Sequence, residues 1–207
     1  PATVTRQLSV VAMNAQNVAS DSVSGGAATS TITVTSSNDA PVLTATVASP
    51  TATESGTGTN TVSLLSGASV SDVDATNFAG GTITVTFTDG FQAGDVLSVN
   101  SGLTGVASVT GGAANALTVN LNSGATTAYL GAILNSLTYR NSGDNPTAGG
   151  TDGNRAFSIT VNDGGNSPTP AASSTALTGS ITVVGENDAP TLTLFHDWYT
   201  AGYLRVA

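Results

Sequence analysis

Acidic and amide side chains gather at a few places in this chain, and oxygen-donor chemistry is what they could do together. Asn38 and Asp39 lie in "SSNDAP" at 36–41, and Glu186, Asn187 and Asp188 lie in "GENDAP" at 185–190. Asp72 and Asp74, in "SDVDA", stand two apart in a loop after an expected strand; extended backbone would put them on one face, and a turn would converge them. Glu54 follows the first expected strand of the main repeat, and Asp163 opens "DGG" after a late one. Two carboxylates about 4 Å apart repel by roughly 4 kcal/mol at an effective dielectric near 20. A cluster of three or four therefore needs a cation. Calcium accepts six to eight oxygens from carboxylates, amides and carbonyls, whereas magnesium demands a stricter octahedron and keeps its waters. The competing reading is that such Asp and Asn residues only form solvated turns, by bonding their own backbone.

Composition narrows the chemistry further. Thirteen acids face four bases, all arginine, for a net charge of -9, so phosphate backbones and anionic lipid surfaces are repelled and cations attracted. Cysteine is absent, which removes disulfides and the usual ligands of structural zinc. Without lysine there is also no Lys-Asn isopeptide crosslink. The single histidine, His196, lies outside the repeat described below, so a Ser-His-Asp arrangement has no home, and the chain reads as a non-enzyme. "GGAAN" at 111–115 lacks Walker spacing and its lysine. No apolar run approaches a membrane span, and no basic-then-apolar leader opens the chain, so Pro1 reads as a cut edge.

The elements that would position these acids come from a repeat. Arg6 falls on Arg155, Ser9 on Ser158, Val10 on Ile159, Ile32 on Ile181, Thr33 on Thr182 and Val34 on Val183, after which "NDAP" falls on "NDAP" at the same offset of 149 residues. The expected organisation is a terminal fragment of one repeat with its linker at 1–41, a complete repeat at 42–190, and at 191–207 the start of a third or a tail. "TLTL" at 191–194 echoes "VLTA" at 42–45, but "FHDWYTAGYLRVA" changes composition, as a non-native tail or a partner-docking peptide would.

Hydrophobic residues form 39% of the chain and charged residues only 8%, so Ser, Thr, Asn and Gly must cover most of the surface, which favours strands and tight turns over helices. Within 42–190, alternating stretches predict strands at 42–49, 82–88, 95–99, 116–121, 156–162 and 177–184, with Asp89-Gly90 and Asp163-Gly164 as turns. That spacing suggests an all-β sandwich with Greek-key connections. One segment, 126–137, instead places Tyr129, Leu130, Ile133, Leu134 and Leu137 at helical spacing behind Thr126 or Thr127 as cap, and predicts a short helix packed on the core.

"ENDAP" between sandwich repeats, followed some thirty residues later by "DVDA", resembles the cadherin-like, Ig-like tandem repeats of large bacterial surface adhesins and matrix proteins. The resemblance spans the whole repeat, including "FSITVNDGGNS". It implies calcium at each domain junction, with Asn38, Asp39, Asp72 and Asp74 at the upstream one. Glu54, Glu186, Asn187 and Asp188 would serve the downstream one, where the resemblance adds Asp163 or Asp152 as a further ligand. This unit is longer than a usual cadherin repeat and lacks a clear acidic triplet in mid-domain, so fewer ions per junction are implied. The function implied is that of an extracellular, calcium-rigidified spacer in cell adhesion or biofilm, partnered by neighbouring repeats. Two alternatives stand beside it: a filament subunit built by strand exchange between copies, and a polysaccharide-binding or surface-binding module. Among the aromatics of the repeat, Phe87, Phe157 and Tyr129 are expected in the core, leaving Phe78 and Phe91 near loops as candidate sugar platforms.

Overall fold

The computed structural model describes residues 4–10, 28–35, 37–151, 153–165 and 170–190. Among the described residues the fold is all-β with one short helix. In chain order the strands are β1 (Val4–Val10), β2 (Ala28–Val34), β3 (Val42–Val47), β4 (Thr51–Thr53), β5 (Val62–Ser63), β6 (Leu65–Ser71) and β7 (Thr82–Asp89). There follow β8 (Asp95–Ser98), β9 (Val106–Gly111), β10 (Ala116–Leu121), α1 (Thr127–Asn135), β11 (Thr138–Asn141), β12 (Asn154–Asn162) and β13 (Leu177–Val184). The expected tail, the sole histidine and Asp152 lie outside the described residues.

The largest sheet runs β4-β13-β12-β7-β10-β9, with smaller sheets β5-β11-β8 and β3-β6, and β1 pairs with β2 in a sheet of their own. Alternation decides which faces meet. Ile83, Val85 and Phe87 on β7, Phe157, Ile159 and Val161 on β12, and Leu117, Val119 and Leu121 on β10 point to one side and are buried, while the intervening threonines, serines and asparagines are not. That apolar face joins one core with Leu65, Ala68 and Val70 of β6, Leu97 of β8 and Tyr139 of β11, giving a sandwich. The helix starts one residue after its cap, Thr126, whose side chain makes no capping bond, and buries Leu130, Ile133 and Leu134. Gly131 lets α1 lie close against β6, since a Cβ there would come within 2.5 Å of the Ala68 carbonyl oxygen.

Two aromatic assignments change. Tyr129 points to solvent at 48% exposure, because its place on α1 falls on the outer side of the Leu130, Ile133 and Leu134 stripe. Phe78 is fully buried, since its loop folds inward, the Phe78 N–H bonding the Ala125 carbonyl at 2.8 Å. Phe91 remains partly exposed and packs tilted on Phe87, ring centroids 5.6 Å apart.

Two strand pairings bring acids to the linkers. Antiparallel pairing of β3 with β6 sets Val42 opposite Ser71, which lays the entry linker beside Asp72 and Asp74. Parallel pairing of β4 with β13 sets Thr53 opposite Val184, which lays the exit linker beside Glu54.

Candidate metal centres

At the entry end, three segments meet through side-chain bonds. The Asn38 Nδ2 donates to Asp163 Oδ2 at 2.6 Å, and the Asp39 backbone N–H donates to Asp74 Oδ2 at 3.1 Å. Asp72 Oδ1 accepts from the backbone N–H groups of Asp74 and Ala75 at 3.0 and 2.9 Å, which folds "DVDA" into an Asx turn. Asp163 Oδ1 is held in turn by the N–H groups of Gly165 and Ala172. Asp163 thus has partners on both oxygens, whereas Asp72 spends one on local backbone and Asp74 one on the linker. The second oxygens of Asp72 and Asp74, with Asn38 Oδ1, are buried and have no hydrogen-bond partner.

Unpaired buried oxygens of one sign are unfavourable next to each other. The acid pair registers this. Burial raises the Asp72 carboxyl above the ordinary aspartate value against the two N–H bonds that lower it, and the neighbouring Asp74 raises it further. Asp74 is held below the ordinary value, first by the Asp39 N–H and then by its contact with Asp72. Asp74 is therefore the better anion of the two, and Asp72 the one that holds a proton more readily.

The exit end is built differently. Glu54, 1% exposed, donates its own N–H to the Val184 carbonyl at 2.8 Å and accepts the Glu186 N–H on Oε2 at 2.7 Å. Its other oxygen, Oε1, is buried without a partner. Carboxylate oxygens of Glu54, Asp144 and Asp188 all lie within 4.8 Å of one another. Oxygens bound to one calcium at about 2.3–2.6 Å can stand at most about 5 Å apart, so this trio fits around a single ion. It could hold a metal ion.

Among the expected site residues, then, the entry end gathers the side chains of Asn38, Asp72 and Asp74, with Asp39 contributing its backbone N–H, and the exit end gathers Glu54 and Asp188. Asp163 belongs with Asn38 at the entry end and not with the exit group, because β12 runs toward the entry linker. Glu186 contributes its backbone N–H, and the Asn187 Nδ2 turns to the Asp188 carbonyl at 3.3 Å, so neither side chain joins the trio. Asp144, in "SGDNPTAGG", was not among the sequence candidates. It is brought in from a long loop whose composition reads only as a turn, and no signal in the sequence ties it to Glu54.

No family model, curated protein or solved structure matches the chain. Among the described residues no helix is long and apolar enough to cross a membrane.

Proposed function

We propose that the chain is a calcium-rigidified structural repeat of an extracellular surface or matrix protein, in the manner of cadherin-like adhesin repeats. The observation that carries this reading is the set of four buried oxygens without partners, on Asn38, Glu54, Asp72 and Asp74, all at the two ends of the sandwich where linkers enter and leave. Calcium suits them better than magnesium. The donors mix carboxylates with an amide and sit on loops from distant parts of the chain, an irregular set that a flexible coordination sphere accepts.

The repeat offset assigns the linker a double task. Asn38 and Asp39 of the entry linker are equivalent to Asn187 and Asp188 of the exit linker. Asn38 reaches forward to the unit that follows it, and Asp188 reaches back to the unit that precedes it. Ions at both positions would fix the angle between successive units. Pro41 and Pro190 support the same end, since a proline ends strand pairing and biases the preceding alanine to an extended exit.

Extracellular calcium modules bind at about 0.1–1 mM. Calorimetric titration of calcium into the protein should therefore show millimolar-range binding with two separable contributions, one lost in Asp72→Ala and the other in Asp188→Ala. Unchanged heats and melting temperatures in both variants would sink the assignment.

The strand-exchange alternative draws support from one feature. β1 and β2 expose apolar side chains, among them Leu8 and Ile32, that an acceptor sheet could cover. A filament subunit would sediment as concentration-dependent oligomers, and a spacer would not. The polysaccharide alternative is left with two exposed aromatics, Tyr129 on α1 and Phe91, whose ring packs on Phe87.

A further inference from the structure

The most deeply buried ion pair among the described residues lies outside both carboxylate groups. Arg155 and Asp95 are 0% and 1% exposed, with Arg155 Nε donating to Asp95 Oδ2 at 2.7 Å. Such a pair is weak evidence of stability, because apolar residues of the same volume are often as good or better. Its other bonds show what it holds.

Arg155 Nη2 donates to the Pro146 carbonyl at 2.6 Å. Asp95 Oδ1 accepts from the Tyr139 hydroxyl at 2.6 Å and from Asn141 Nδ2 at 2.7 Å. Asn141 Oδ1 then accepts the Gly143 N–H at 2.7 Å. The loop is thus pinned at 143 and at 146, on either side of Asp144. The backbone of Asn141 faces the other way: its carbonyl accepts the Thr59 N–H at 2.9 Å and its N–H donates to Thr59 Oγ1 at 2.8 Å. Thr59 is bridged to Glu54 across an isolated antiparallel pair. One buried salt bridge therefore reaches two of the three segments that carry the exit-end carboxylates, those of Glu54 and Asp144, and Glu54 is itself buried with an unpartnered oxygen.

We propose that the Asp95–Arg155 pair, acting through Asn141 and the Pro146 carbonyl, is a positioning device that sets the separation of Glu54 from Asp144 and so the cation affinity of the exit end. The inference rests on the calcium reading of that end. Partners bonded directly to metal ligands alter affinity by about tenfold to a hundredfold when removed; this pair acts one step further out, through the loop backbone on either side of Asp144, so the lower end of that range is expected. Lysine at 155 keeps the charge but loses the planar fork that serves Asp95 and Pro146 at once.

The test compares Arg155→Lys with the wild-type chain, and Asn141→Ser serves as a second variant if lysine prevents folding. In chelator, amide exchange at Gly143 and Thr59 should quicken at least tenfold in the variant, while amides of β7 keep their protection. Under calcium titration followed by NMR, the Gly143 and Glu186 amides should report an affinity lowered about tenfold, and the Asp74 and Ala75 amides an unchanged one. Equal weakening at both ends, or unchanged exchange at Gly143 and Thr59, overturns the proposal. If Gly143 and Glu186 of the wild-type chain ignore calcium, the metal reading of the exit end is what fails, and the exchange measurement in chelator still decides whether the pair positions the two segments.

Discussion

Two hairpins in this molecule have the same register and opposite surroundings. In the β1–β2 pair Arg6 faces Ile32, Thr5 faces Thr33 and Val10 faces Ala28; in the β12–β13 pair Arg155 faces Ile181, Asn154 faces Thr182 and Ile159 faces Leu177. Every partner is displaced by the same 149 residues. Yet Leu8 and Ile32 are 54% and 52% exposed, while Phe157 and Ile181 are fully buried. The difference teaches that the register is written into the two strands themselves, and that burial is supplied by what lies over them. The second hairpin has β7 along its edge and Asp95 and Tyr139 beneath Arg155; β1 and β2 form a two-stranded sheet of their own. Each hairpin then leads into an "NDAP" linker, so the same comparison shows a linker from both sides: forward contacts at Asn38, backward contacts at Asp188.

The largest expected contrast lies at the two arginines. Asp95→Ala leaves Arg155 buried beside an empty position, and breaking such a pair is expected to destabilise the sandwich by about 3–5 kcal/mol. Arg6→Ala, on the exposed hairpin, should stay within about 0.5 kcal/mol. Chemical denaturation of the two variants checks this, and equal losses would mean that the first hairpin is covered after all.

Much of this comparison was legible in the sequence. The offset of 149 residues and the strands at 82–88, 116–121, 156–162 and 177–184 follow from alternation that the structure keeps almost unchanged. β6 was harder to read because "LSGASVS" buries Leu65, Ala68 and Val70 among serines and a glycine, a pattern too small and polar to stand out. Pairing across long separations was not legible at all. Nothing local joins Asp144 to Glu54, Asp163 to Asn38 or Asp95 to Arg155; only the tertiary fold brings them together, and an inward-folding loop tied to Ala125 buries Phe78.

Metal removal is the next contrast in size. If calcium at the exit end is a hundredfold above its dissociation constant, linkage contributes about 2.7 kcal/mol to the sandwich. Chelator should lower the melting temperature by that equivalent in the wild-type chain and not in Glu54→Gln, which keeps the side chain's volume and removes its charge. The hairpin comparison sharpens this, because the β12–β13 pair carries the exit linker directly. Loss of the ion should loosen Glu186 to Asp188 while amides of β12 remain protected.

Alkaline pH separates the hairpins through Tyr139. Burial, together with the bond to Asp95, pushes this hydroxyl well above its ordinary value, while Arg155 opposes the shift. A group whose folded value is raised contributes stability that is present below its unfolded value, about 10, and is lost as pH rises past it. Stability should therefore fall above about pH 10 by up to about 1.4 kcal/mol per pH unit on account of this group. Tyr139→Phe should flatten that fall in an alkaline denaturation series while lowering stability at neutral pH.

The smallest contrast is the most direct reading of coverage. Ile32 and Ile181 are equivalent by the repeat offset and face equivalent arginines, so Ile→Val removes the same methylene from the same register at both. At a filled site that loss typically destabilises by about 0.5–1.5 kcal/mol. Ile181, fully buried, should show it. Ile32 should show almost none, because a half-exposed side chain leaves no cavity when it is trimmed. A loss at Ile32 that appears only at high protein concentration would mean that a second chain covers the hairpin and would favour the strand-exchange reading. A loss independent of concentration would require cover from within the same chain.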